Sequence, residues 1–511
     1  MGNQPRPVRS FLNNLSYFSP DAHGFAVRLA DGVLLGGLAL FAILVPHSIA
    51  GAWISFGLCM LAWGARDLAA GQIRLTRLPC DRPILAFASL SLVSALWSAD
   101  RDISLPKLFG LLLFLVVYLI ATNVTTAGAR ALATLLLVSA LAGVGFSLWE
   151  KIAGRGMTVL EIRPGSPLAA SGLQKGDVIW MVARKRVRSL GQLESVIRAQ
   201  PAGKKLELEV LHEGDPLPVS LLVTEELKNK TDLAGLVVGA GTRRFRISGF
   251  SRNFITYSEQ MLLLALFAWG FVVAGFRGFR GFGGFGVRGT FARRLIAALA
   301  FLFLSLALAL TSARAPIVAM LLALGMVSVF AGGRRIIVPA LLVALALGFF
   351  SWQALLLTRT EKAGSFTDDS AKRRMGYLLA GARMIPRHPL LGVGMDAHKR
   401  HWREWEFPGD YITHTHSTPV QIAMDRGLPA LGCYGWFLFS LFAALLRRYR
   451  EIRQSGDFMD QGICLGVTGA LTGFSLNSLV NYSFGDSEIV ALLLLLAGLV
   501  FTGARAGQGR N

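Results

Sequence analysis

Leu295-Ile-Ala-Ala-Leu-Ala-Phe-Leu-Phe-Leu-Ser-Leu-Ala-Leu-Ala-Leu310 carries no charge and a single hydroxyl, and it runs directly into Thr311-Ser312-Ala313-Arg314, a short polar turn ending in a cation. With its flanking apolar residues the run approaches the roughly 20 residues that an α-helix needs to cross the hydrocarbon core of a bilayer. It is apolar on every face, and hydrocarbon offers backbone groups no other partner, so the run must be helical. Leu108 to Ile120, Ile336 to Phe350 and Val490 to Phe501 read the same way. Extending this reading along the chain gives about twelve spans, centred near residues 38, 58, 90, 114, 140, 265, 301, 323, 343, 437, 470 and 495. The composition agrees: 53% of the 511 residues are hydrophobic and 16% are charged, an apolar excess over the usual soluble domain. The fold class is therefore a polytopic α-helical membrane protein.

A net charge of +21 would suit a nucleic-acid binder, but the cations alternate between connections. Arg6 and Arg9, Arg66 to Arg82, Arg277 to Arg294, Arg334 and Arg335, Arg447 to Arg453, and Arg505 with Arg510 all fall on one side. The positive-inside rule makes that side cytoplasmic. Both termini are then inside, and two long polar segments, 150–252 and 351–428, lie outside. Nucleic acid is not an expected partner; the surrounding lipids are. The Arg-Gly-Phe run from Phe276 to Phe285 reads as a glycine-rich basic connector on the inner side. The first apolar run, from about Val27, lacks a small-residue cleavage site and is read as a retained helix. Cys59, Cys80, Cys433 and Cys464 lie mostly in spans and suggest neither a disulfide framework nor a zinc knuckle. The expected location is a bacterial inner membrane.

From Gly156 to Val223 the apolar runs give way to short alternating stretches, as in Leu206, Leu208 and Val210 against Glu207 and Glu209. These are half-buried strands. Pro164-Gly165-Ser166-Pro167 makes a turn, Gly172 and Gly176 bracket a tight loop before Asp177-Val178-Ile179, and Leu190, Leu193, Val196 and Ile197 stripe one helix from about Ser189 to Ala199. This order closely resembles a bacterial PDZ domain, Pro-Gly-Ser-Pro followed by Gly-Leu-x-x-Gly-Asp-x-Ile. The resemblance implies recognition of an extended peptide by strand addition, with Gly156, Met157, Thr158 and Val159 beside the carboxylate loop, and hence a periplasmic protein partner. A PDZ-like module within a polytopic chain also raises the reading of an intramembrane metalloprotease, which needs His-Glu-x-x-His. The His212-Glu213 pair has Pro216 where the second histidine should stand, and His398-Lys399-Arg400-His401 has the wrong interior.

The second outer segment carries Arg373-Arg374-Met375-Gly376-Tyr377 on an amphipathic helix that Pro386 ends, then His388-Pro389-Leu390-Leu391-Gly392-Val393-Gly394, His414-Thr415-His416-Ser417, and Arg426-Gly427-Leu428-Pro429. In that order the motifs resemble the O-antigen ligase and polymerase superfamily of membrane glycosyltransferases, with Ser417 where the family has Asn. Thr311-Ser312-Ala313-Arg314 resembles its Thr-x-Ser-Arg turn with one residue inserted, and Arg246-Ile247-Ser248-Gly249, followed by Tyr257, resembles its Arg-x-x-Gly segment. The resemblance implies a GT-C-like fold, an undecaprenyl diphosphate-linked glycan as donor, a glycan or lipid acceptor, and metal-independent, inverting transfer without a cofactor. The expected division is 1–149 for spans one to five, 150–226 for the PDZ-like α+β module between the fifth and sixth spans, 227–350 for a connector and spans six to nine, 351–428 for the catalytic loop and 429–511 for the last spans.

The residue types suit that chemistry. A departing lipid diphosphate gathers negative charge, and guanidinium groups fork onto phosphate oxygens, which nominates Arg246 and Arg314. Histidine takes a proton from a hydroxyl near neutral pH, which nominates His416 as base, with His414 orienting the substrate. Arg373, Arg374 and Tyr257 complete the expected substrate-binding set, and no metal ligands are assigned. Each has a plainer reading: arginines at span ends anchor headgroups, and a His-x-His pair on a strand could be structural. The competing function is a non-enzymatic carrier of lipid-linked glycan, or a scaffold that recruits partners through the PDZ-like module. Lipid A core, a growing polysaccharide and protein all stay open as acceptors.

Overall fold

The computed structural model describes residues 24–212, 215–229, 236–251, 253–277, 287–331, 369–408, 414–454 and 457–502, with a few positions between 338 and 349. The chain begins with α1 (Phe25–Leu44), α2 (Ile49–Ala69), α3 (Asp81–Trp97) and α4 (Arg101–Lys107). Pro106 lies inside α4, and the next turn tightens into a 3₁₀ stretch over Leu108–Phe114 before α5 (Leu115–Asn123) resumes. Proline removes an amide donor and crowds the preceding turn, which accounts for the break. Then α6 (Thr126–Ala153), capped by the Thr125 side chain accepting from Gly128 N–H, leads out to the inserted module.

That module holds β1 (Met157–Glu161), α7 (Pro167–Ala170), β2 (Val178–Val182), β3 (Lys185–Arg186), α8 (Leu190–Arg198), β4 (Lys205–His212), β5 (Asp215–Leu222), α9 (Glu225–Asn229) and β6 (Val237–Gly239). The antiparallel sheet runs β5-β4-β2-β1-β6, with β3 also paired to β2. Leu206, Leu208 and Val210 point into a core shared with Leu193 and Ile197 of α8, as their alternation and stripe require. Two features differ from expectation. The sheet extends past residue 226, because β6 pairs with β1. Both edges of Met157-Thr158-Val159 are therefore taken, by β2 and β6, and no peptide can add there; the outermost strands of the sheet are β5 and β6.

The bundle resumes with α10 (Phe254–Arg277), α11 (Val287–Leu310) and α12 (Arg314–Ala331), and continues with α13 (Asp369–Met384), α14 (Thr418–Arg426), α15 (Leu428–Ile452), α16 (Phe458–Ser478) and α17 (Ser487–Val500). Eight helices among the described residues are long and apolar enough to cross a membrane. The helices α3, α16 and α17 stand at further expected spans but are shorter or more polar. The span expected near 343 falls largely outside the described residues, as do 278–286 of the basic connector and 351–368, where the second polar segment begins.

At the centre lies α10, whose spanning part is wholly buried in protein. It meets α16 at Gly270: a Cβ there would come within 2.1 Å of the Gly466 nitrogen. Without a hydrophobic drive between helices in lipid, small residues let backbones approach and gain dispersion contacts. One end of the bundle is tied by buried Arg66, bonded to Asp31 and Asp67 at 3.0 Å each and to Asn123, and by Arg130 on Asp457 (2.7 Å) and Asp460 (2.8 Å). The connections expected outside meet at the opposite end: Arg400 pairs with Asp100 and Asp102 at 2.6 Å, Thr256 donates to Asp486 at 2.7 Å, and Ile247 N–H donates to Leu310 O at 3.3 Å. Gly466→Leu should cost about 1–3 kcal/mol by overpacking. It is read as a fall in the thermal midpoint of detergent-solubilised protein, whereas Gly64→Ala, with open space around it, should leave that midpoint unchanged.

Candidate active site

After α13 the chain turns through Ile385–Arg387 and enters the Pro-Leu-Leu-Gly-Val-Gly stretch. Val393 N–H donates to Met424 O (2.9 Å) and Gly394 N–H to Asp425 O (3.0 Å), while Leu428 N–H donates back to Pro389 O (2.8 Å). This backbone clip fixes the loop to the end of α14. Ser98 and Ser104, at the start of the broken span, donate to Val393 O (3.3 Å) and Met395 O (3.1 Å). The glycines are needed for two reasons. Gly392 and Gly394 have φ of +67° and +102°, and a Cβ on Gly394 would fall 2.0 Å from the Ser98 hydroxyl. The glycine motif is thus a packing device that holds the loop against two spans.

Past the clip, Asp396 sits in the left-handed region (φ +61°) and faces two ammonium groups, Lys107 Nζ at 2.6 Å and Lys399 Nζ at 2.7 Å, both on Oδ2. Burial pushes its carboxyl up, but the lysine hydrogen bonds outweigh that and hold it below the usual range. Trp402 and Phe407 stack at 4.7 Å and form a small core with Ala380, Met384 and Met424. His398 is enclosed, its Nδ1 3.9 Å from Asp425. His401 binds Asp100 at 2.8 Å and Glu404 at 2.7 Å. Asp100 and Asp102, an Asp-x-Asp pair, are thus engaged by Arg400 and His401. Among the described residues no group of three histidine, cysteine or acidic side chains is placed to hold a metal ion.

In the His-Thr-His stretch, Thr415 is buried and its N–H donates to Gln421 Oε1 at 2.8 Å, with its methyl against Gly381. The flanking His414 and His416 stand edge to face, 4.3 Å between ring centroids, and both line one cavity. His416 N–H donates to His414 Nδ1 (3.3 Å), which makes that nitrogen the acceptor. The tautomer follows from this bond. Tyr377 stacks over His416 at 5.9 Å. His416 has φ +57°, a costly conformation outside glycine and one found at functional sites. Burial, then the charge of Arg374, lowers the His416 pKa to about 4. Burial, then His416, His398, Lys399 and Arg374, lowers that of His414 to about 3. Both imidazoles are neutral at pH 7. Asp425, beneath them, is pushed up to about 7 by burial, and Gln421 donates to both its oxygens, at 3.0 and 3.1 Å.

The cavity measures 1210 Å³ and has two characters. Trp53, Leu61, Phe109 and Leu111 to Leu115, from α2 and the 3₁₀ break, make an apolar trough; Lys107, Asp396, Lys399, His414, His416, Arg426 and Asp486 make a polar head. The other nominated residues are placed around it. Arg246 is not in the lining but stacks 4.6 Å from Phe254, whose neighbours Asn253 and Ile255 are, so it stands at the rim. Arg314 is exposed at the start of α12, on the turn that the Arg246 segment reaches through Ile247. Arg373 is exposed on α13; Arg374 is half-buried, and its charge acts on both histidines. Tyr257 is 2% exposed and away from the lining, its hydroxyl 3.0 Å from Ser147 and its ring against Gly249. Ser417 precedes α14 without a side-chain capping bond. Lys107, Lys399 and Arg426 were not nominated by sequence reading; their signal, cations beside the proline break and the His-x-His helix, is weak in a chain with 52 lysines and arginines.

The module is docked firmly beside this site. Buried Glu150, at the end of α6, accepts from Arg155 (2.5 Å) and from Arg186, and Arg186 also donates to Gly249 O. Arg155 lies 4.1 Å over Phe245 and 4.7 Å over Trp180. His212, of the His-Glu pair, bonds Asp177 at 2.7 Å.

Residues 299–435 match the family model described as O-antigen ligase, and residues 140–223 match that of the PDZ domain. Curated relatives share shorter stretches. The periplasmic serine endoprotease DegP of Escherichia coli K12 is 31% identical over 87 residues, 17% of this chain and 18% of DegP. The magnetosome formation protease MamE of Magnetospirillum gryphiswaldense is 32% identical over 97 residues, 19% of this chain and 12% of MamE. The pH-dependent endoprotease DegQ of E. coli K12 is 46% identical over 52 residues, 10% of this chain and 11% of DegQ. The chain thus spans less than a fifth of the length of these relatives. Gly394→Val should unseat the loop, at a cost of about 1–3 kcal/mol. Limited trypsinolysis at Arg387, Lys399 and Arg400 should then accelerate while the bundle stays intact.

Proposed function

We propose that this protein is a glycosyltransferase of the bacterial inner membrane, moving a glycan from undecaprenyl diphosphate to an acceptor hydroxyl at the periplasmic face. The O-antigen ligase match supports a membrane glycan-transfer function. The observation that carries the finer reading is the two-character cavity: an apolar trough for a polyprenyl tail, continuous with a polar head holding two neutral histidines. The pooled positive charge of Lys107, Lys399, Arg426 and Arg374 suits a diphosphate.

In the reaction, His416 accepts the proton of the acceptor hydroxyl, and the freed oxygen lone pair attacks the anomeric carbon from the face opposite the diphosphate. The glycosidic C–O bond breaks with its electron pair passing to phosphate, so one displacement inverts the anomeric centre. The proton leaves His416 to solvent or to the departing diphosphate. Arg246, at the rim, and Arg314, on the adjoining turn, take up charge as it develops on the leaving group, the role a preorganised cation fills without reorganisation. His414 orients the acceptor, and Arg373 and Arg374 bind the glycan-bearing part of the donor. As an outermost strand of the sheet, β6 offers a periplasmic protein partner a place to add a strand.

His416→Ala should lower kcat by at least about a hundredfold, and Arg314→Ala and Arg246→Ala by about a hundredfold each, at unchanged membrane abundance. Chelation with EDTA should leave turnover unchanged. Full transfer by the His416 and Arg314 variants would refute the mechanism, and binding of lipid-linked glycan without product would favour a carrier. Because the folded His416 pKa lies near 4, below the ordinary 6.5, the base stays neutral as pH falls through 6. The acid limb of kcat/KM, which reports the free enzyme, should therefore have its midpoint well below pH 6.5; a midpoint at or above that value would remove His416 from the role.

A further inference from the structure

The hairpin joining β2 to β3 carries Arg184, Lys185, Arg186 and Arg188 in close succession. Its turn residues Ala183 and Arg184 have φ of +45° and +66°, where asparagine and glycine are the usual occupants. An arginine kept there bears backbone strain that a turn alone does not require. Arg186 donates to Gly249 O, so the hairpin abuts the strip that follows Arg243 and Arg244. Two arginine-rich segments, distant in sequence, thus meet at one foot of the module. The other cationic connections, after α2 and after α15, lie at the opposite end of the bundle, where Arg130 of α6 meets Asp457 and Asp460. A cluster at this end departs from the grouping that governs the rest of the chain.

The foot lies at the level of the bilayer surface. The span α6 ends at Ala153, the span α10 begins at Phe254, and Arg155 pairs with Thr242 between them. On the last turns of α6, Trp149 is 49% and Ile152 70% exposed, and tryptophan at a span end is a usual marker of the membrane interface. The Arg188 guanidinium lies 4.3 Å over that Trp149 ring. Arg184, Lys185, Arg243 and Arg244 are exposed, with no side-chain ion pair among the described residues. Neighbouring carboxylates do not neutralise them. Glu150 is buried and shared by Arg155 and Arg186, and Asp177 is bonded to His212. Glu161 ends β1 where that strand runs away from the hairpin, and Glu207 and Glu209 stand on β4, along the edge of β2 opposite β3. We propose that this foot docks the module onto anionic phospholipid headgroups, its guanidinium and ammonium groups taking phosphate oxygens while Trp149 and Ile152 enter the adjoining apolar layer. Such docking is independent of whether the protein transfers a glycan.

The test uses the full chain in nanodiscs, with amide hydrogen exchange read over residues 180–190 and 240–250. Replacing roughly a third of the phosphatidylcholine by phosphatidylglycerol should slow exchange there about fivefold or more, the factor that a single cation gains at an anionic surface. Salt near about 1 M should remove the difference, because it screens exposed charges. The Arg184→Gln/Lys185→Gln/Arg243→Gln/Arg244→Gln variant should lose it as well. Arg163→Gln/Lys175→Gln, at exposed positions toward the other end of β1 and β2, should keep it. Equal exchange in the two lipid mixtures, or a difference that survives in the quadruple variant, would overturn the docking. So would equal protection by inorganic phosphate added to phosphatidylcholine nanodiscs, which would mark a site for small anions and not for a lipid surface. Should the quadruple variant fail to assemble, the lipid and salt comparisons on the wild-type chain decide.

Discussion

The end of the bundle that carries the cavity's polar head depends on a short run of backbone pairing. Val393 and Gly394 donate to the carbonyls of Met424 and Asp425, and the same loop is gripped from the other side by Ser98 and Ser104. The groups of the polar head carried by the loop and by α14 take their place from this clip. Asp396 follows it by two residues, Lys399 by five, and α14 carries Gln421, which holds the Thr415 amide between the two histidines. Backbone hydrogen bonds suit this task because they fix position without relying on long side chains, whose ordering costs up to about 2 kcal/mol each in entropy. The clip demands glycine, since a side chain at Gly394 would occupy the space of Ser98.

The electrostatics of the head follow from the same geometry. Burial and nearby cations both act to keep His414 and His416 uncharged. Neutral imidazoles thus stand among lysine and arginine on one side and the carboxyl groups of Asp396 and Asp425 on the other. An anion entering such a site would raise the histidine pKa values. The strain at His416 fits this arrangement, because the left-handed turn brings its amide onto His414 and sets the two rings edge to face.

Much of this was legible in the sequence, and the failures have physical causes. Spans were readable because the bilayer imposes one length and one polarity on each. The alternation of cations correctly grouped connections far apart in sequence, so that the Arg246 segment meets the Thr311 turn, and Asp100 meets Arg400. The His-x-His pair was readable as a motif, but its geometry was not: His416 lies in the left-handed region, so a turn and not the period of a strand brings the rings together. The pairing of β6 with β1 was not: three residues, 76 or more positions away from the strand they cover, leave no periodic trace. The surroundings of Tyr257 were not legible either: its place after the Arg246 segment says nothing of the hydrogen bond its hydroxyl makes with Ser147 inside the bundle. Lys107 and Arg426 were not nominated because they lie on α4 and α14, and nothing in either local segment encodes that both line one cavity.

The inserted module shows how such a fold tolerates an extra domain. Its entry and exit are zipped together: Arg155 N–H donates to Thr242 O at 2.8 Å, and Thr242 N–H returns the bond at 3.0 Å. An insertion whose ends are adjacent leaves the host helices free to pack as they would without it. Adjacency alone would leave the module swinging. Glu150 prevents that, because a buried carboxylate must be compensated on all sides, and it recruits Arg155 from the module's entry and Arg186 from β3. Arg186 reaches on to Gly249 O, and Lys151 to Phe245 O, in the strip that carries Arg246. Force applied to the module's sheet therefore has a short, bonded route to that arginine. Of the two outermost strands of the sheet, β6 is the one that leads within a few residues into that same strip.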